Sequence, residues 1–237
     1  MVKLTREMVN KSPQYRNPLK DREIDLRGNK ITILENLGVT KDQFDSIDLS
    51  DNDLKKLDGF PVLKHLKLLM VCNNHVSRVA QDLANFLPNL QRLVLTNNNI
   101  SELADLLPIT KMKSLQALTL LRNPVANNPS YRSFLIFHMP YLKYLDGQKV
   151  MPLEIYESTI KFDGIAGFKL MKELIETRTR SKIRFDQNTD NPETDQSQPH
   201  VGQRTMAIKN AIQNVKTYEE AKRLENSLKS GDVPVRK

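Results

Sequence analysis

The chain has 237 residues, 39% of them hydrophobic and 27% charged, and its 36 Lys and Arg outnumber 28 Asp and Glu for a net charge of +8. A single cysteine, Cys72, leaves no partner for an internal disulfide, and no run of about 18 apolar residues suits a membrane span. The first residues, MVKLTREMVNKSPQYRN, lack the apolar segment of a signal peptide, so an intracellular protein without membrane attachment is predicted. The four histidines stand singly, and there is no phosphate-cradling glycine run and no Ser/His/Asp or Cys/His set. These absences predict a protein that is not an enzyme and uses no metal or cofactor.

Residues 1–22 come first. They carry six basic against two acidic side chains, and Leu4, Met8 and Val9 recur at helical spacing, as in a segment that covers the end of a larger core. Five copies of one pattern follow: IDLRGNKI (Ile24–Ile31), IDLSDNDL (Ile47–Leu54), LMVCNNHV (Leu69–Val76), LVLTNNNI (Leu93–Ile100) and LTLLRNPV (Leu118–Val125). Each reads apolar-x-apolar-x-x-Asn-x-apolar, with Asn29, Asn52, Asn74, Asn98 and Asn123 in the common place. A period of roughly 20–29 residues with this consensus is the leucine-rich repeat. Each copy predicts a short strand, and its Asn is expected to bond backbone groups where the chain turns away. One repeat cannot bury its apolar face alone, so the copies must stack into a solenoid. The expected fold is an α/β repeat solenoid, a right-handed superhelix with a parallel concave sheet.

The array ends in NPSYRSFLIFHMPYLKYLDGQKV (Asn128–Val150), with a predicted helix over Tyr131–His138 and an atypical sixth strand near Leu145. This reads as a C-terminal cap, so repeats and cap together occupy 23–165. Residues 166–204 begin basic and become polar, which predicts a disordered linker. Residues 205–237 recover an amphipathic pattern, which predicts a short helical tail.

Side chains flanking the inward apolar pair of each strand should line the concave face. They form an acidic end with Asp25, Arg27 and Asp48, then an apolar centre with Leu68, Met70 and Cys72. Arg92, Val94 and Thr96 follow, and Leu121 lies at the far end. Leu68 and Met70 are expected to stand in solvent, because Leu69 and Val71 already fill the core. An apolar patch rimmed by charge marks a protein interface. Its concavity suits a helix that carries apolar residues and a few Lys or Arg, with Asp25 and Asp48 meeting the cations.

DREIDLRGNKI (Asp21–Ile31), DQFDSIDLSDN (Asp42–Asn52), SLQALTLLRNPV (Ser114–Val125) and AIKNAIQNVKTYEEAKRLENSLKSGDVP (Ala207–Pro234) occur in that order. Together they resemble the A-prime family of the U2 small nuclear ribonucleoprotein over about residues 1–150 and 205–235. The resemblance implies a nuclear, non-enzymatic scaffold of pre-mRNA splicing. It implies a concave face that grips a helix of an RNA-recognition-motif protein of the B-double-prime type. It further implies that the pair binds a U2 small nuclear RNA stem-loop, in a particle with other proteins. Lys3, Arg6, Lys20, Arg22 and Lys149 are then the expected contacts to stem phosphates. The alternative is another intracellular leucine-rich-repeat adaptor, such as a phosphatase regulatory subunit.

Overall fold

The structure, a computed structural model, describes residues 2–164 together with Gly167, Lys169, Lys172 and Glu173. All of these belong to a unit spanning Met1–Asn188, and a second unit, Thr189–Lys237, lies outside the described residues. So do the expected tail at 205–237 and, apart from those four residues, the expected linker at 166–204.

The chain opens with β1 (Val2–Lys3), α1 (Arg6–Lys11) and β2 (Gln14–Arg16). Thr5 caps α1, its hydroxyl accepting a hydrogen bond from the Met8 amide, and Leu4 and Val9 are buried against the first repeat. Next come β3 (Arg22–Asp25), β4 (Ile31–Ile33), β5 (Ser46–Asp48), β6 (Lys56–Leu57), β7 (Leu68–Met70) and β8 (Arg78–Val79). The single-turn α2 (Leu83–Phe86), β9 (Arg92–Val94), the single-turn α3 (Leu107–Thr110) and β10 (Ala117–Thr119) complete the repeats. The cap holds α4 (Tyr131–His138), β11 (Tyr144–Leu145), β12 (Gln148–Lys149) and α5 (Pro152–Phe162).

Eight strands form one sheet in the order β2-β3-β5-β7-β9-β10-β11-β12. The pairs from β3 to β11 are parallel, while β2 and β12 close the two ends antiparallel. Ile24, Ile47, Leu69, Leu93, Leu118 and Leu145 fall in register and are all buried, forming one row of a continuous core. This is the leucine-rich-repeat solenoid that the spacing predicts.

The pattern asparagines join the repeats. Asn98 is buried; its amide donates to the Val71 and Leu95 carbonyls at 2.8 and 3.1 Å, and its Oδ1 accepts from the Val76 amide at 2.9 Å. Asn52, Asn74 and Asn123 likewise each bond backbone of the preceding repeat as well as their own. The residue before each Asn has positive φ: Gly28, Asp51, Asn73, Asn97 and Arg122. Four of these are Gly, Asp or Asn, the residue types that enter the left-handed region at least cost. Their exposed side chains form a second chain of bonds, Asn73 donating to Asp51 at 2.8 Å and Asn97 to Asn73 at 3.0 Å.

Helix α5 was not anticipated from the sequence. Pro152 stands in its first turn, and the Glu154 carboxylate accepts from the Met151 amide, which are start signals legible in the chain. It packs on α4 through Phe162, whose ring centroid lies 6.0 Å from Phe134 and 5.4 Å from Phe137. The Arg132 guanidinium grips Glu154 at 2.6 and 3.0 Å. No described helix is long and apolar enough to cross a membrane.

Candidate functional site

The strand register sorts the concave face into rows. One row runs Glu23, Ser46, Leu68, Arg92, Ala117 and Tyr144. The next runs Asp25, Asp48, Met70, Val94 and Thr119. Arg27, Ser50, Cys72, Thr96 and Leu121 follow where the strands end, linked by amide-to-carbonyl bonds such as Asn73 to Thr96 and Asn97 to Leu121. The structure therefore brings all ten expected protein-contact residues onto one face.

Three of them are not in the state expected from the sequence. Leu68 is only 9% exposed rather than standing in solvent. Arg92 of β9 is its register neighbour, and the Arg92 Nη2 lies 3.7 Å from the Asp21 carboxylate just before β3. Strands lie about 4.8 Å apart, so reaching Asp21 takes the Arg92 side chain across Leu68 and Ser46 of the two intervening strands. Beneath it the Ser46 hydroxyl is buried with no hydrogen-bond partner. Met70 and Val94 remain half-buried, so the open apolar centre is narrower than expected.

Asp25 and Asp48 are the other two, because neither awaits a cation. Arg27 bonds Asp25 through two nitrogens, Nε to Oδ1 at 2.9 Å and Nη2 to Oδ2 at 2.6 Å. Its Nε also lies 3.5 Å from Asp48 Oδ2, while Asp48 Oδ1 accepts from the Ser50 amide. The Arg27 hydrogen bond holds the Asp25 carboxyl below the usual range, and Asp25 in turn raises the guanidinium. Glu23, buried beside them, accepts from the Tyr15 hydroxyl at 3.0 Å and the Asn17 amide at 2.9 Å.

Sequence reasoning missed two exposed rings, Tyr15 on β2 (44% exposed) and Tyr144 on β11 (48%). They stand in the first and last parts of the sheet, on strands that do not obey the repeat consensus. Leu121, 47% exposed, lies near the Tyr144 end.

The expected RNA contacts do not gather. Lys3 lies on β1 and pairs with Glu35 at 3.0 Å. Arg6 opens α1, and Lys20 occupies a turn with φ of 66°. Arg22 donates to Gln43 at 3.0 Å. These four belong to the N-terminal end, whereas Lys149 is on β12 at the opposite end of the sheet. Among the described residues, no group of three or more His, Cys, Asp or Glu is placed to hold a metal.

A leucine-rich repeat family model matches residues 1–175. The U2 small nuclear ribonucleoprotein A′ proteins of Mus musculus and Homo sapiens are each 47% identical over 238 residues, covering 100% of this chain and 91% of their own. The Arabidopsis thaliana protein of the same name is 41% identical over 234 residues, covering 99% of this chain and 93% of its own. A chain in the crystal structure of the Drosophila melanogaster SNF/U2A′ complex is 46% identical, with a TM-score of 0.70. That match covers 73% of this chain and 99% of the other. With this identity sustained along its whole length and the same repeat solenoid, the chain belongs to the U2 small nuclear ribonucleoprotein A′ family of leucine-rich-repeat proteins.

Proposed function

We propose that the chain is a non-enzymatic scaffold of the nuclear U2 particle that acts in pre-mRNA splicing. Its concave face holds one helix of an RNA-recognition-motif protein of the B-double-prime type, and the pair binds a U2 small nuclear RNA stem-loop. The observation that carries this reading is the half-buried pair Met70 and Val94. They are adjacent on β7 and β9, with the acidic strands β3 and β5 on one side and Thr119 on the other. A strip of this kind accepts the apolar face of one helix across the strands. The SNF/U2A′ complex adds support, since a relative of 46% identity is found there with a protein partner.

The test is capture of the RNA-recognition-motif protein by Met70→Asp. Covering an unpaired carboxylate costs several kcal/mol in the complex, whereas in the free protein it reaches water, roughly a hundredfold or greater loss of affinity at unchanged folding. Capture at wild-type strength by a folded Met70→Asp protein refutes the reading.

A further inference from the structure

Helix α5 is apolar on two opposite sides. Its inward side is fixed against the cap: Ser158 and Phe162 are buried, Ile155 packs partly buried on the core, and Glu154 is held by Arg132 of α4. A turn of 3.6 residues then places Leu153, Tyr156 and Ile160 on the outward side. They are 66%, 65% and 63% exposed, the three most exposed large apolar side chains among the described residues. Spacings of three and then four residues are those of a seam along which one helix packs on another. The seam is flanked by acid. Glu157 lies one turn from both Leu153 and Ile160, and Asp163 follows where the helix ends; both are exposed, and neither forms an ion pair among the described residues. The cation of the helix, Lys161, is turned toward α4, where its Nζ donates to the Ser133 hydroxyl at 3.0 Å and lies 5.6 Å from the centre of the Phe162 ring.

We propose that this outward seam of α5 is a docking surface for one amphipathic helix of a different protein, a helix whose apolar stripe is flanked by Lys or Arg. The contact uses none of the concave strands, so it goes beyond the scaffold reading and stands independently of it. Three apolar side chains in line at helical spacing, held in water by the packing of the opposite side, call for an apolar cover of the same period. Charge selects which cover. The flank of Glu157 and Asp163 attracts a basic helix and repels an acidic one. It also disfavours a second copy of this chain, whose α5 would bring the same two carboxylates to the contact. Size points the same way. Eleven residues make a helix about 16 Å long and about 10 Å across, a small part of the roughly 800 Å² per partner that a stable free dimer buries. Such a contact is weak for a free helix. It gains strength when the helix belongs to a protein already held in the same particle, where tethering raises its effective concentration.

The experiment uses the full chain and a fluorescein-labelled model helix with Leu on one face and Lys on the other, read by anisotropy into the high micromolar range. Saturable binding is expected. Leu153→Gln with Ile160→Gln should weaken it by about tenfold or more, and Glu157→Gln with Asp163→Asn by about threefold with a shallower dependence on salt. Met70→Asp should leave it unchanged, and a model helix with Glu in place of Lys should bind less well. The α5 substitutions alter only exposed side chains, and thermal melts verify folding. No saturable binding, or retained affinity in the folded Leu153/Ile160 variant, overturns the site. Equal binding of a scrambled Leu and Lys peptide overturns it too, because that reports charge alone. A loss confined to Met70→Asp overturns it and assigns the helix to the concave face. Benzoylphenylalanine placed at position 156 identifies the occupant directly. A photocrosslink to the model helix supports the docking surface, whereas one within the chain or to a second copy overturns it. Capture of the RNA-recognition-motif protein is followed in parallel. Capture by the wild-type chain with no α5-dependent binding refutes the α5 site and leaves the scaffold function standing. The α5-dependent binding without capture refutes the scaffold function and supports the α5 site.

Discussion

Replacing Asn98 by Ala should remove a large part of the stability of the solenoid. Asn98 is 3% exposed and bonds four backbone groups: the Val71 and Leu95 carbonyls, the Thr96 carbonyl at 3.4 Å, and the Val76 amide. The Val76 amide sits in the core with the Val76 side chain fully buried, where no water replaces the lost acceptor. Each buried group left unmatched costs about 1–3 kcal/mol, and an amide N–H costs more than a carbonyl that keeps another donor, so the sum is about 3–5 kcal/mol. Against a total of about 5–15 kcal/mol for a domain, this is about a fifth of the stability or more. Urea denaturation followed by circular dichroism should show a lower midpoint with an unchanged m-value. Two further variants calibrate the result. Asn29 is only half-buried and donates to Leu26 and Arg27 carbonyls of its own turn, so Asn29→Ala should cost about 1 kcal/mol. Asn73 is exposed, and Asn73→Ala should change stability by no more than about 0.5 kcal/mol. If Asn98→Ala costs under about 1 kcal/mol, or no more than Asn29→Ala, the account of the asparagines as bridges between repeats is wrong.

Gly59 has φ of 77°, and an added Cβ would run into the Leu34 carbonyl, so Gly59→Ala should lower stability by about 2–4 kcal/mol in the same urea assay; a neutral result would contradict the packing described. Arg122 holds the left-handed position that Asp51, Asn73 and Asn97 fill in earlier repeats. Arg122→Asn relieves that conformation and places an amide beside Asn97, so a gain of about 0.5–1 kcal/mol is expected, and a loss counts against the argument. Hydrogen bonds from Arg27, Lys67 and Arg132 lower the carboxyl pKa values of Asp25, Asp45 and Glu154 respectively. A carboxyl lowered in the folded state stabilises above its unfolded pKa, near 4, and loses that contribution as pH falls through the folded value. The melting temperature should therefore be nearly flat from pH 7 to 5 and fall below about pH 4; a rise between pH 4 and 3 would show the sign to be wrong.

The parts of this molecule legible in its sequence are those governed by local period. The strands fall where Ile24, Ile47, Leu69, Leu93 and Leu118 place them, because alternation fixes which side chain faces the core. The αL turns and the buried asparagines follow from the same copies. What escaped is set by long side chains that cross between strands. Arg92 reaches Asp21, 71 positions earlier in the chain, and no spacing rule encodes that meeting. Arg27 and Asp25 are two positions apart on one strand edge, yet their pairing depends on the rotamer Arg27 adopts beside Asp48. Tyr15 lies on the antiparallel end strand β2, outside the repeat register, and Tyr144 on β11, which keeps the parallel register with β10 but lacks the repeat consensus.

Arg27 has a consequence for how the acidic end of the face treats a visitor. A cation arriving at Asp25 finds the carboxylate already gripped at two points, with Asp48 3.5 Å from the same guanidinium. Docking there is a substitution: one guanidinium must leave before another enters, and the Coulomb terms of the two largely cancel. A lysine cannot reproduce the two-point grip, so it would leave Asp25 worse satisfied than before. The acidic end thus behaves as a filter more than an anchor. It admits a planar cation in the right place, penalises others, and adds little net attraction of its own. The strength of any complex on this face then depends on Met70 and Val94, and its dependence on salt should be shallow even though the region carries so many charges.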